Sequence, residues 1–202
     1  DRATSYYNIG WTLGAMGRWT EATENFYRAI ALCEEHGFSD PLAAARNALG
    51  ELSLKRSEFD DAALMFRAVV ESERQHRRAG GVCREALTNL GWTHFRKRDL
   101  ARAEDVLREA ARMCEAAKDR RVLATVCCRR AEVALARGWL DAACDLVAEA
   151  EHHATELNLP TEQGEALRVK ALLSAARGDS AQALDLFGRC EALLEPLGDT
   201  FE

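Results

Sequence analysis

Proline is scarce: three residues in 202, at Pro41, Pro160 and Pro196. A chain so rarely interrupted can sustain long helices. No apolar run approaches the roughly 18 residues a membrane span needs, and no secretory leader is visible. A basic footprint is missing too, because the formal net charge is −6, which argues against direct nucleic-acid binding. The seven cysteines form no CxxC and no ligand-like spacing, as expected of scattered thiols in a reducing compartment, with the cytosol as default. There is no glycine-rich phosphate loop, no nucleophile elbow and no zinc motif. These absences leave no catalytic residue, cofactor or metal to expect, and the chain reads as non-enzymatic. It opens on Asp1 rather than Met, so the expectation is a segment of a longer protein.

What is present is a repeat. The small residue Gly10 returns as Gly50, Gly91, Ala131 and Ala171, at spacings of 40, 41, 40 and 40. Ala22, Ala62, Ala103, Ala143 and Ala183 follow in step. A larger apolar residue comes next, at Phe26, Phe66, Leu107, Val147 and Phe187. Ala29, Val69, Ala110, Ala150 and Cys190 complete the register. Self-similarity at this period means stacked helical hairpins with one continuous core across residues 1–202. The repeats run over 2–41, 42–82, 83–122, 123–162 and 163–202. Each holds a first helix, A (3–17, 42–56, 83–97, 123–137, 163–177), and a second, B (20–37, 60–79, 100–118, 140–158, 180–197). Helices approach to about 8 Å only where the side chains between them are small. The recurring glycines should therefore seat each A helix against its B partner.

The turns carry their own signals. Gly17, Gly138 and Gly178 share one slot that suits a left-handed helix end. Ser57 and Arg98 occupy it in repeats two and three, so those turns are expected to close differently. Trp19, Phe59, Leu100, Leu140 and Ser180 follow two places on. Ser39-Asp40-Pro41 reads as a cap with proline in the first helical turn. Gly80-Gly81 sits where the spacing lengthens, and Pro160 separates the last two hairpins.

These residues resemble the tetratricopeptide repeat family, whose pattern is Leu-Gly in helix A, Gly plus aromatic at the turn, then Ala, Phe and Ala along helix B. Repeat one supplies Ile9-Gly10, Gly17, Trp19, Ala22, Phe26 and Ala29, and Leu49-Gly50 and Leu90-Gly91 follow. The period of 40 rather than 34 is similar to the long-helix subgroup of kinesin light chain, Rap-type regulators and LuxR-type bacterial regulators. Arg130 and Lys170 depart from the pattern by replacing the leucine. The resemblance implies an all-α, right-handed α-solenoid of five helix-turn-helix repeats and ten helices, with A helices lining the inner wall.

On that wall the register places Tyr7, Asn8 and Trp11, then Asn47, Ala48 and Glu51, then Thr88, Asn89 and Trp92 with Arg96 a turn on. Cys128, Arg129 and Glu132 follow, then Arg168, Val169 and Leu172. An asparagine amide donates and accepts, so a ladder of them can pair with an extended peptide backbone. Trp11 and Trp92 would add flat apolar platforms, and Arg96, Arg129 and Arg168 could take acidic guest side chains. The same asparagines could instead bridge neighbouring A helices while the tryptophans fill gaps. The carboxylate clamp of chaperone-tail receptors is absent, because Tyr7, Trp11, Ala48 and Glu85 do not match it.

The remaining groups read as structure. Cys33, Cys114 and Cys127 occupy apolar core slots, while Cys128 is the one thiol expected to be exposed. His152 and His153 diverge by about 100° on a helix and should not chelate together. His36, His76, Arg74 to Arg78 and Arg96-Lys97-Arg98 lie at helix ends, where cations are favoured. Leu184, Leu186, Phe187, Leu193, Leu194 and Leu197 give helix B of repeat five an apolar face. Native chain beyond Glu202 and self-association through the C-terminal repeat are therefore expected. The reading is an interaction module for a protein or peptide, the sensor or scaffold arm of a larger cytosolic signalling or transcription regulator. The alternative is a structural spacer that positions an attached effector domain.

Overall fold

The computed structural model describes residues 2–76 and 80–197. Arg77 and Arg78 of the basic stretch lie outside the described residues, as do residues 198–202 and the side chain of Leu197. Among the described residues there are ten α-helices and no strand. They are α1 (Arg2–Ala15), α2 (Trp19–His36), α3 (Ser39–Lys55), α4 (Phe59–Gln75), α5 (Gly81–Arg96), α6 (Leu100–Ala117), α7 (Arg120–Ala136), α8 (Leu140–Glu156), α9 (Pro160–Ala176) and α10 (Ser180–Leu194). No described helix is long and apolar enough to cross a membrane. The fold is thus all-α and built from helix-turn-helix repeats.

Two compact units divide the chain, Asp1–Arg98 and Asp99–Glu202. In the first, each helix from α1 to α5 packs on the next, and α3 also touches both α1 and α5. In the second, α6 to α10 pack in sequence and α7 also touches α9. Contact with the next helix and with the next but one is the signature of stacked hairpins.

The seam of small residues explains the packing. Ala22, Ala62, Ala103 and Ala143 are completely buried, and so are Ala131 and Ala171. A Cβ added at Gly50 would lie 2.6 Å from Phe66 Cε1, and one at Gly10 would lie 2.9 Å from the Phe26 ring. Each phenylalanine on the B helix therefore occupies the space its glycine leaves on the A helix. Burying such a ring stabilises by about 1.5–3 kcal/mol, against about 1 kcal/mol of helix propensity lost at the glycine. The last repeat departs from this register. Leu186 is buried while Phe187 and Leu184 stand 37% and 73% exposed, because among the described α-helices only α9 packs against α10.

The charged departures from the leucine pattern come with partners. Arg130 Nη2 reaches Glu104 Oε1 at 3.2 Å, and Lys170 Nζ reaches Glu151 Oε2 at 2.6 Å. Glu104 stands where repeat two has Ala63, and Glu151 where it has Val70. An apolar pair between A and B helices has become an ion pair in each case. The Cys33/Cys114 slot holds the buried Glu73 in the second repeat.

Two expectations at the helix ends need correction. Ser39 does not cap α3: the helix starts at Ser39 itself, Phe38 is the N-cap, and the serine hydroxyl donates to Asp40 at 3.4 Å. Side-chain caps occur at Asp99, Asp119 and Asp179, which accept from backbone N–H groups at 3.2, 3.2 and 3.0 Å. The turns of repeats two and three also close like the others. Ser57 (φ 61°) and Arg98 (φ 65°) are left-handed, as are Gly17, Gly138 and Gly178. Glu58 N donates to Ser53 O at 2.8 Å, matching Trp139 N to Ala134 O at 2.9 Å. The hydrogen-bond geometry of the short turn fixes the backbone, and the side chain there accommodates it.

That accommodation costs about 1–2 kcal/mol per non-glycine residue, partly offset by glycine's larger loss of entropy on folding. Arg98→Gly and Ser57→Gly should each stabilise by about 0.5–1 kcal/mol. Urea unfolding measures this, and a loss of stability in both variants would contradict the strain argument.

Candidate functional site

Helices α1, α3 and α5 bring their matching faces together, and there the first unit holds a recess. A cavity of about 190 Å³ is lined by Tyr7 and Trp11 of α1, Asn47 and Glu51 of α3, and Val82 and Glu85 of α5. Trp11 is 54% exposed at its mouth, whereas Asn47 is only 7% exposed. Both asparagine amides in this region donate to one atom. Asn47 Nδ2 lies 2.9 Å and Asn89 Nδ2 lies 3.0 Å from Glu51 Oε1. Asn89 therefore bridges α5 to α3, the structural role open to it in the sequence. The carbonyl side of Asn47 is different, because its buried Oδ1 has no hydrogen-bond partner. Such an orphan acceptor is uncommon and calls for an explanation.

The electrostatics follow from burial. Glu51's carboxyl is pushed above the usual carboxylate range by burial, an effect opposed by the Asn89 and Asn47 hydrogen bonds and by Lys55, and reinforced by Glu85. The Tyr7 phenol is raised by burial and then by Glu51 and Glu85. Among the described residues no cation lies within ion-pair distance of Glu51. Lys55 lines a smaller neighbouring cavity of about 50 Å³ with Trp11 and Gly14.

The other expected site residues fall in varied places. Asn8 is exposed, and its backbone carbonyl accepts from the Thr12 hydroxyl at 2.9 Å. Thr88 is buried, its hydroxyl donating to Arg84 O at 2.7 Å along its own helix. Trp92 stacks on Phe95 at 4.7 Å between centroids, and the Arg96 guanidinium lies 5.3 Å from the Phe59 ring centroid.

In the second unit the corresponding face carries charge that is already matched. Arg168 Nη2 lies 2.7 Å from Glu132 Oε1 and 2.9 Å from Glu165 Oε2, and Arg129 Nη1 approaches Glu132 at 3.4 Å. Burial works to lower the Arg168 pKa, but Glu132 and Glu165 hold it above its ordinary value. Glu132 is itself buried. Arg129 and Arg168, expected to greet acidic guest side chains, are thus engaged by neighbouring carboxylates. Cys128 corrects a sequence expectation: it is 1% exposed. Burial, with Glu165 next, pushes its thiol up to about 12. The packing of α7 against both α8 and α9 covers the position that the register places on the wall.

The adjacent histidines are also closer than expected. One ligand atom each from His152, His153 and Glu156 lies within 4.8 Å of the others, since side-chain rotation brings the rings to 5.5 Å despite the roughly 100° between successive helix positions. Each imidazole nonetheless faces a different carboxylate, His152 with Glu156 at 3.6 Å and His153 with Glu149 at 3.8 Å. Glu156 already accepts from Arg120 at 2.7 Å.

Paired helices stacked through small-residue seams define a helical-repeat protein. The tetratricopeptide repeat model matches residues 1–75, and a second model of the same repeat matches residues 47–119. The chain belongs to the tetratricopeptide repeat family. A search of the curated proteins found no match. Among solved structures the chain is similar to the nearly identical TPR-like repeats of a putative kinesin light chain from Podosopora anserina. Identity is 14%, the TM-score is 0.71, and the match covers 98% of this chain and 98% of that one. Aspartyl phosphate phosphatase F from Bacillus subtilis is similar at 14% identity and a TM-score of 0.83, over 95% of this chain and 51% of that one. A Rap protein complexed with Competence and Sporulation Factor is similar at 15% identity and a TM-score of 0.82, over 96% and 53%. This chain thus spans about half the length of the last two. At these identities the likeness is one of fold.

A buried carboxyl with a raised pKa gives a signed prediction. The folded state binds the Glu51 proton more tightly than the unfolded chain, whose glutamate titrates near pKa ~4.3. Stability therefore falls as pH rises from that value through the raised one. Tyr7, Glu85 and Lys55 face the same carboxyl and shape that window. In urea unfolding, Glu51→Gln should gain on the wild type across it, then run parallel. A difference that is constant with pH, or that favours the wild type at higher pH, would contradict the burial argument.

Proposed function

We propose that the first unit is a peptide-docking surface, with an extended segment of a partner protein laid across α1, α3 and α5. The observation that carries this reading is the recess itself. It joins an exposed tryptophan platform to a buried, unpartnered amide oxygen and a carboxylate held by two asparagines. A guest backbone N–H or side-chain donor would pair with the Glu51 carboxylate, and Trp11 would cover the guest's apolar atoms. The ion-paired face of the second unit supports a spacer role there, since its charges need no guest.

The module works without catalysis, as the sensor or scaffold arm of a larger regulator. Seven cysteines that form no disulfide, six of them buried, support a reducing compartment such as the cytosol. The net charge of −6 supports a protein partner over nucleic acid.

Panning a random peptide phage library against the chain tests the reading, with enriched peptides measured by calorimetry. Trp11→Ala should weaken them about tenfold or more with the melting temperature unchanged, because Trp11 is half exposed and packs little core. Failure to enrich any peptide, or equal binding by Trp11→Ala, would leave the spacer role as the better account.

A further inference from the structure

We infer that the recess between α1, α3 and α5 receives a basic side chain of the bound peptide, the guanidinium of arginine or the ammonium of lysine. The inference rests on the docking surface proposed above and specifies what its deepest pocket accepts.

The polar atoms that line the recess point to one kind of guest. Glu51 and Glu85 contribute carboxylates, and Tyr7 contributes a phenol. Asn47 is more than nine-tenths buried, and its unpartnered atom is an acceptor. One N–H of each asparagine amide is committed to Glu51 Oε1, which holds both amides toward the carboxylate. The Glu51 carboxylate is the acceptor at the centre of this lining, and a complementary guest brings donors.

Three guests can be weighed. An acidic side chain would enter beside two carboxylates, which repel it in a partly desolvated site. An apolar side chain would strip the remaining water from Glu51 and return no hydrogen bond, the costly outcome for buried polar groups. A cation returns both the charge and the donors. Its methylenes and charged head would also lie against the Trp11 and Tyr7 rings, whose faces attract cations. Burial disfavours ionisation of Glu51, and a seated cation would offset that cost. Lys55 lines the adjoining cavity with Trp11, and it offsets part of the charge from the side without occupying the recess itself.

The test uses the peptides enriched by panning. Each arginine is replaced in turn by citrulline, its neutral near-isostere, and each lysine by norleucine, with affinities measured by calorimetry on wild type and on Glu51→Gln. The glutamine keeps an acceptor for Asn47 and Asn89, so the fold is retained, and circular dichroism confirms it. One basic position should stand out, where neutralisation weakens binding about tenfold or more. Glu51→Gln should weaken the parent peptide to a similar degree, and neutralising both should cost little beyond either alone, which identifies the two as a pair. Which residue type gives the coupling separates arginine from lysine. If peptides bind but lack a basic residue, or the two changes simply add, the cation pocket is wrong while the docking surface stands. If no peptide binds at all, both readings fall.

Discussion

The structure depends on how closely an A helix can approach its B partner. Phe26 and Phe66 lie in hollows that exist only because Gly10 and Gly50 have no side chain, with Ala22 and Ala62 completing the seam. Close-packed interiors do not absorb even one extra methyl without displacement. The seam fixes the hairpin angle, and the hairpins in turn bring α1, α3 and α5 into contact on one face. The recess at Tyr7, Trp11, Asn47 and Glu51 adjoins that seam, since the Tyr7 ring packs on Phe26 at 6.0 Å between centroids.

The two units handle polar groups on their A-helix faces in opposite ways. In the second, Glu132 and Glu165 meet Arg168, with Arg129 close by. That network is complete, and such pairs hold α7 to α9 without an external ligand. In the first, Glu51 collects two neutral amides and no cation among the described residues, and a buried acceptor beside it stays unmatched. Carboxylates occupy equivalent positions after the small residue, Glu51 and Glu132. The partner one repeat on differs in type and in register: Asn89 stands two places before Gly91, whereas Arg168 stands three before Ala171, at the position that Thr88 holds in repeat three.

Much of the fold is legible in the sequence because it lies in spacing. The recurrence of Gly10, Gly50 and Gly91 with Ala and Phe along helix B requires no three-dimensional information. The turns at Ser57 and Arg98 are not legible, because residue preference is weaker than the hydrogen-bond demand of a short link between packed helices. Phe187 keeps its register position yet turns outward, since burial depends on what packs against α10 and not on the repeat itself. Residue type marks Asn47, Glu51 and Asn89 as polar groups on a wall. It does not show that both amides converge on one oxygen, nor that Arg168 reaches across to Glu132. Register alone puts Cys128 at the surface, and the packing of α8 and α9 on α7 buries it.

The close-packed seam can be tested with two glycines on A helices. A methyl at Gly14 meets only ordinary contacts, at 3.9 Å from Ala22 Cβ and 4.0 Å from Leu52, whereas one at Gly50 meets Phe66 at 2.6 Å. Helix propensity alone would stabilise both alanine variants by about 1 kcal/mol. The account predicts that Gly14→Ala raises stability by about that amount in urea unfolding. Gly50→Ala should lower it by about 1 kcal/mol or more, because overpacking outweighs propensity there. Equal stabilisation of both variants would show that the seam tolerates a side chain, and the account would fail.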